Sequence, residues 1–405
     1  MMPEPGSAAL PANDPFEPLP PHRQLAELAE KTRHVIEKSL ELKGSVAPGT
    51  RNALRVLLRS MNAYDSARMD GEGIHPRNIE RALAADFSAK PEVARRQRIA
   101  LAHIEAEQEL AAKLPDERAE AFALRSSFLV EAHAALYRRL TPADRTTDEG
   151  VVVEPGVLRS REVAAGRQLP PTHASVPAFL KRMDEFYPKV NGLDSILYGV
   201  ACAHQRAAWI RPFPDGNGRA CRLQTQAALF RMTGGLWSVN RGLASQREQY
   251  DAMLRMAGLP RPGDADGRRN LSERGLFRWC EFFINLALEQ VSFMHRLLAL
   301  HEWRERIETL VLVRSGSRQY ANDGRAAALA LHHVLVAGPI TRGDFMSLLG
   351  MPGRTASRVL GQLLKDGLLS SPGPRGPVSF NFPLNALNLL LPNLYPEASA
   401  PDTDG

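Results

Sequence analysis

The stretch RPFPDGNGRACR, Arg211–Arg222, restricts this chain more than any other part of it. Pro212 and Pro214 fix φ and carry no N–H, so no helix runs through them. The apolar residues Cys221, Leu223, Ala227, Ala228 and Leu229 then recur at helical spacing. A helix is therefore expected to begin at DGNG, with Gly216, Asn217 and Gly218 turning the backbone through positive φ. Such a start offers free N–H groups and the positive end of a helix dipole, and the missing Cβ atoms let an anion approach closely. Arg219 and Arg222 lie one turn apart on a shared face, and each can fork onto phosphate oxygens. Asp215 is an acid of the kind that holds Mg²⁺ together with a nucleotide's own phosphates. The alternative without a ligand is an Asp N-cap, a glycine turn and two solvated arginines; the twelve residues taken together favour an anion site.

At 405 residues the chain exceeds one ordinary core, and two or three domains are expected. Hydrophobic residues make up 44% and charged residues 24%, as in a soluble globular protein. No apolar run approaches the roughly 18 residues that a membrane helix needs, so no membrane partner is expected and the cytoplasm is the expected location. Cys202, Cys221 and Cys280 lie in apolar helical contexts without metal-ligand spacing, which points to buried free thiols. The net charge of +6 is spread along the chain and is compatible with nucleotide or nucleic-acid partners.

Residues 1–22 are Pro-rich and acidic and are expected to form a disordered arm. Residues 23–145 carry apolar positions at three- and four-residue spacing, as in LAELAEKTRHVIEKSL and RRQRIALAHIEAEQELAAKL, and predict helices. The stretch 146–172 breaks that periodicity with β-branched residues, glycines and a Pro-Pro stop, and predicts a loop with a short β-hairpin. Helices resume at Val176 and continue to about Val313, closing a core region of 146–315. Residues 316–395 read as helix, turn, helix and a two-strand wing, the pattern of a winged-helix domain, and 396–405 as a loose polar tail.

RPFPDGNGRACR resembles the Fic motif, His-Pro-Phe-x-Asp/Glu-Gly-Asn-Gly-Arg-x-x-Arg, at eleven of twelve positions. PGVLRSREVAAGRQLPP resembles the Fic flap hairpin, AHQRAAWI the preceding helix and GLWSVNRGLASQREQY the segment that follows. YDSARMDG, Tyr64–Gly71, resembles the inhibitory-helix motif Ser/Thr-x-x-x-Glu-Gly/Asn. The resemblance covers about residues 50 to 310 and implies a mainly α Fic (Fido) helical domain with a short β-hairpin flap, of the class with an N-terminal inhibitory helix, joined here to a C-terminal winged helix. It also implies ATP and Mg²⁺ as ligands and AMP transfer to a Ser, Thr or Tyr hydroxyl of a protein target.

Carried over position by position, the resemblance makes Asp215 the Mg²⁺ ligand, Gly216, Asn217 and Gly218 the anion hole, and Arg219 and Arg222 the holders of the outer phosphates. Arg161, Glu162, Val163 and Gly166 would align the target by strand addition. Ser66, Asp70 and Gly71 would form the inhibitory motif, with Ser66 and Asp70 reaching Arg222. Asp70 stands where the family has Glu, so that contact needs a closer helix or is weaker.

Arg211 stands where the family has its catalytic His, which takes the proton of the attacking hydroxyl. A general base needs a pKa near the working pH. An arginine of pKa near 13 is neutral in about one molecule in a million at pH 7 and offers no lone pair when charged. Arg211 cannot be the base, although it can bind phosphate. Three readings stay open, in descending order: a nucleotide-binding pseudoenzyme, a slow transferase with another base, and a substituted copy of an active enzyme. His204 and His103, each on a predicted helix, read as structural rather than as replacement bases. Trp209, Phe213, Trp237, Phe282 and Phe283 read as core, and HEWRERIE, from His301, as a solvated helix face.

The rival reading is a DNA-binding regulator, in which Arg354, Ser357, Arg358 and Gln362 on the second helix of the C-terminal module, with Arg375 on its wing, contact duplex DNA. Protein docking is the alternative use of such a module. A homodimer is also left open.

Overall fold

The structure is a computed structural model that describes residues 16, 18–20, 25–163, 170–190, 192–267, 270–315 and 324–399. Its first part comprises helices α1 (Ala29–Ser45), α2 (Pro48–Met69), α3 (Pro76–Leu83), α4 (Pro91–Ala112), α5 (Ala119–Ala123) and α6 (Ser126–Tyr137). After an irregular stretch follow α7 (Val176–Phe186), α8 (Leu193–Ile210), α9 (Asn217–Thr233), α10 (Val239–Ser245), α11 (Arg247–Ala257) and α12 (Glu273–Leu297). The C-terminal part holds α13 (Leu300–Ser315), α14 (Gly324–Ala337), α15 (Arg342–Leu349), α16 (Gly353–Lys365), strands β1 (Leu369–Ser370) and β2 (Ser379–Phe380), and α17 (Leu387–Leu390). The protein is mostly helical, as its periodicity predicts.

The placement of α9 explains the position of the site. Its residues from Arg219 to Leu229 are all buried, with α1, α4, α5, α6 and α8 packed around it. A helix enclosed on all sides has no solvent stripe, so its polar residues need internal partners. Gln224 Nε2 donates to the carbonyls of Ala123 (2.9 Å) and Arg125 (3.1 Å), and Thr225 Oγ1 pairs with His204 Nδ1 at 2.8 Å. α12 lies behind, against α1, α8, α10 and α11. Its buried Trp279 donates from the indole to Ala201 O at 2.6 Å. Trp209, Phe213, Trp237, Phe282 and Phe283 are buried, as are Trp303 and Ile307, the two residues of HEWRERIE that face the core rather than solvent. The three cysteines are free and buried, with the Sγ atoms of Cys202 and Cys280 3.4 Å apart.

α2 joins the two halves of the molecule. It packs on α4 and α10 along one side and on α14 and β2 along another. At its start the backbones touch: a Cβ on Gly49 would lie 2.4 Å from Gly338 Cα, so only glycine fits. Thr50 Oγ1 donates to Leu335 O beside it. In the C-terminal module Ile340 and Val378 form an antiparallel bridge beside the β1–β2 hairpin, in which Leu369 opposes Phe380.

Two expectations are corrected at the chain ends. Part of the expected disordered arm is packed: Phe16 is buried, stacked on Phe179 at 5.8 Å and set edge-on to Trp209 at 6.2 Å, and Tyr187 donates to Pro18 O at 2.9 Å. One aromatic ring filling a slot outweighs the surrounding prolines and polar residues. The tail is likewise not loose where it begins, because Pro396–Ser399 forms a 3-10 turn whose Glu397 pairs with Arg68 at 2.9 Å. Between 146 and 172 the described residues hold one antiparallel bridge, Thr146 to Val152, and Gly166 lies outside the described residues.

Candidate functional site

Asp215, Gly216, Asn217, Gly218, Arg219 and Arg222 line one cavity of about 950 Å³ together with Arg211, Asp70, Glu72, Arg95 and Val163. The cavity forms where the chain leaves α8, turns at the prolines and enters α9. Asn217 ties this turn: its Oδ1 accepts from Phe213 N–H at 2.9 Å and its Nδ2 donates to Phe213 O at 2.8 Å. Phe213 in turn stacks on His133, whose far face stacks on Tyr137.

The glycines do not act as the sequence suggests. Gly216 alone takes positive φ, at 73°, and is the N-cap of α9, while Asn217 and Gly218 are already helical; Asp215 is not the cap. Two different contacts require the glycines. A Cβ on Gly216 would fall 2.4 Å from the Tyr137 ring, and one on Gly218 would fall 2.8 Å from Arg222 Nη1 and 3.3 Å from Asp70 Oδ1. Gly218 thus leaves open the space over the helix N-terminus, and a carboxylate fills it.

That carboxylate belongs to the segment after α2. Arg222 Nη2 donates to both oxygens of Asp70 at 2.8 Å, and Arg222 Nε donates to Ser66 Oγ at 2.9 Å. Arg219 Nε lies 2.9 Å from Asp70 Oδ2. The shorter Asp reaches because α2 comes close enough, the first of the two options its length allows. Burial raises the pKa of the Asp70 carboxyl, but the guanidiniums of Arg222 and Arg219 together outweigh it and hold it below the usual carboxylate range. Gly71 takes φ of 79° at the C′ position; its N–H donates to Arg68 O at 3.1 Å and that of Glu72 to Ala67 O at 2.9 Å. These two bonds close the helix end in a Schellman motif, which needs a residue at ease in the left-handed region.

Several partners of the site lie outside its motif. Tyr137 Oη donates to Asp215 Oδ2 at 2.9 Å. His133 Nδ1 accepts from Gly156 N–H at 2.9 Å, so its proton sits on Nε2, which donates to Asp215 O at 3.2 Å. Burial lowers its pKa to about 4, in keeping with a neutral ring that positions the loop. His133 and Tyr137 are one helical turn apart on α6, an i, i+4 pair that could have marked a shared face.

On the opposite side, Arg211 ends α8 in the left-handed conformation, with φ of 48° and ψ of 66°. That geometry costs a non-glycine residue about 1–2 kcal/mol. Arg159 holds it there: Nε donates to Arg211 O at 2.7 Å, Nη2 to Pro171 O, and the backbone N–H to Pro212 O at 2.9 Å. Arg159 also binds the flap, donating from Nη1 to Arg161 O and Glu162 Oε2, both at 3.1 Å. Glu162 Oε1 pairs with His173 Nδ1 at 2.8 Å, which leaves Arg161 exposed and Val163 on the cavity wall. Burial pulls the pKa of the Arg211 guanidinium below its usual value.

Among the described residues no histidine lines the cavity. His204 is buried between Thr225 Oγ1 and Tyr250 Oη, with its pKa lowered to about 3 by burial and by Arg222. His103 is buried within α4, both ring nitrogens lacking a hydrogen-bond partner, and burial lowers its pKa to about 3 as well. Among the described residues no group of three or more His, Cys, Asp or Glu is arranged to hold a metal ion. No described helix is long and apolar enough to cross a membrane.

This fold and this turn define a known class. Residues 123–229 match the Fic/DOC family, so the chain carries a Fic/DOC family domain, which spans α6, the connection to α7, α7, α8 and most of α9. The match begins upstream of residue 146, consistent with α6 supplying His133 and Tyr137 to the site. A crystal structure of a Fic family protein from Desulfovibrio desulfuricans is similar in fold, with a TM-score of 0.51 and 18% identity, covering 91% of this chain and 99% of that one. A signalling protein with a Fic domain from Bacteroides thetaiotaomicron gives a TM-score of 0.50 and 14% identity over 66% of this chain and 96% of its own.

Proposed function

We propose that this protein binds ATP with Mg²⁺ at the N-terminus of α9, on the frame of a protein adenylyltransferase that has lost its general base. The observation that carries this reading is one cavity with two unequal sides, an anion cradle at Gly216–Arg222 and an arginine at Arg211. A carboxylate already occupies the cradle. Asp70 lies over Gly218 and between two guanidiniums, as a phosphate group would, so the residues present fit an anionic ligand.

In this reading Arg219 and Arg222 exchange Asp70 for the outer phosphates, and Gly216, Asn217 and Gly218 border the transferring one. Asp215 would hold Mg²⁺, since Tyr137 engages one of its oxygens and the ligand's phosphates supply the remaining coordination. The nucleotide with its metal supplies the transferable group and neutralises charge as the bond to the leaving phosphates breaks. Arg161, Glu162 and Val163 would guide the target backbone past Arg211. There Arg211 would offer the attacking hydroxyl no acceptor for its proton, because a charged guanidinium only donates. Transfer is then limited to what positioning and electrostatics alone supply.

Calorimetry with ATP and Mg²⁺ on the Asp70→Gly protein tests the reading. Micromolar to millimolar binding is expected, weakened about tenfold or more (~1.4 kcal/mol) by Asp215→Ala or Arg219→Ala. Absence of binding of ATP or GTP at millimolar concentration by both the wild type and Asp70→Gly would overturn it.

A second reading has its own observation: α16 turns Arg354, Ser357, Arg358 and Lys365 outward, and Arg375 is exposed on the β1–β2 connection. This face suits a phosphate backbone, and filter binding of random duplex across a salt series tests it. A steep salt slope supports DNA binding, and no binding at low salt removes it.

A further inference from the structure

The inhibitory motif ends at Gly71, yet the structure continues its chemistry one residue further. Glu72 Oε2 lies 2.5 Å from Arg219 Nη2, and Glu72 Oε1 accepts from Arg95 Nη1 at 2.9 Å. Charges therefore alternate along the cavity wall in the order Arg95, Glu72, Arg219, Asp70, Arg222, with Ser66 closing the far end. All five charged residues line the cavity. Arg219, which is buried, is held by two carboxylates from two different residues.

The Schellman turn makes this arrangement possible. With Gly71 in the left-handed region, the chain reverses and brings Glu72 back to the same side as Asp70. Arg95, on α4, fixes the other oxygen of Glu72, so the carboxylate is tethered between α4 and α9.

We propose that Glu72 is a second inhibitory carboxylate, which neutralises Arg219 independently of Asp70 and is positioned by Arg95. Resting on the ATP reading above, this assigns the two outer-phosphate arginines different locks: Asp70 bridges both, and Glu72 holds Arg219 alone. Removing Asp70 leaves Arg222 with Ser66 alone but leaves Arg219 paired with a carboxylate. Opening the site fully requires both carboxylates to leave.

The test is ATP–Mg²⁺ affinity, by calorimetry, of the wild type and of Asp70→Gly, Glu72→Gln and the double variant, with thermal midpoints measured alongside. Asp70→Gly with Glu72→Gln is expected to bind about tenfold more tightly than Asp70→Gly alone, equivalent to about 1.4 kcal/mol. Glu72→Gln is expected to lower the melting temperature slightly while raising affinity, a divergence that a merely structural residue does not give. Equal affinity of Asp70→Gly with and without Glu72→Gln would overturn the proposal while leaving the ATP reading intact. If no variant, the double variant included, binds nucleotide, the ATP reading fails and the proposal that rests on it falls with it.

Discussion

The two sides of the cavity hold their arginines in opposite ways. On the α9 side, Arg219 and Arg222 are bound through their side chains to Asp70, Glu72 and Ser66, so that each guanidinium is aimed and neutralised. On the α8 side, Arg211 is fixed through its backbone by Arg159 and held in a left-handed turn. The first side presents directed charge that an anion can take over. The second fixes the geometry of a turn whose side chain, a guanidinium, does not suit proton abstraction. On the proposed reading the difference separates binding from chemistry: the α9 side would take the phosphates, and Arg211 would not accept a proton.

The largest effect should come from restoring the α8 side. With base catalysis worth about 10²–10⁴ in rate, Arg211→His combined with Asp70→Gly is expected to raise self-labelling by α-labelled ATP by that factor over Asp70→Gly alone. Label transferred from the α but not the γ position marks AMP transfer. No gain would mean that the two sides differ by more than one base.

Arg159→Ala should come next, in stability. It removes the donors to four carbonyls, those of Arg211, Pro171, Arg161 and Ile210, two of these bonds being buried. A loss of about 2–4 kcal/mol is expected from the urea midpoint. A loss below 1 kcal/mol would show that the Arg211 turn is held by other contacts.

Gly216 and Gly71 form a matched pair, both at positive φ. Ala at Gly71 meets nothing within 4 Å and should cost only the left-handed penalty, about 1 kcal/mol. Ala at Gly216 meets the Tyr137 ring at 2.4 Å and should cost a further 1–3 kcal/mol or so. Equal costs would mean that Tyr137 yields easily and does not shape the cradle.

The smallest effect is expected for Tyr137→Phe, which frees Asp215 Oδ2 of one hydrogen bond worth about 1 kcal/mol. Nucleotide affinity should fall a few-fold in Mg²⁺ and not in EDTA. An equal fall in both would assign Tyr137 to packing alone.

The same contrast explains what the sequence could convey. The start of α9 and its two arginines were legible because they belong to a run of adjacent residues whose spacing is itself the chemistry, whereas the Asp70 contact, between residues 152 apart, came only from the resemblance of its segment to an inhibitory motif. Tyr137 lies 78 residues before Asp215, and Arg159 lies 52 before Arg211. Nothing local marks either as part of the site, since their role depends on which helices meet. Glu72 adjoins a motif that was legible, but only the Schellman turn shows that it points inward. Gly216 and Gly218 were placed correctly for a partly wrong reason: one is required by a neighbouring ring and the other by the space an anion takes, and only the first by φ. Phe16 was hidden by composition, because a single aromatic residue in a Pro-rich segment gives no periodicity.

The most direct test of the contrast uses the Asp70→Gly protein with Arg211 intact. ATP–Mg²⁺ binding is first verified by calorimetry, and α-labelled ATP is then supplied at saturation. Bound nucleotide with near-background label on protein is the expected result. Strong α-label incorporation with Arg211 in place would contradict the account, because another group, such as one of the carboxylates lining the cavity, would then be accepting the proton.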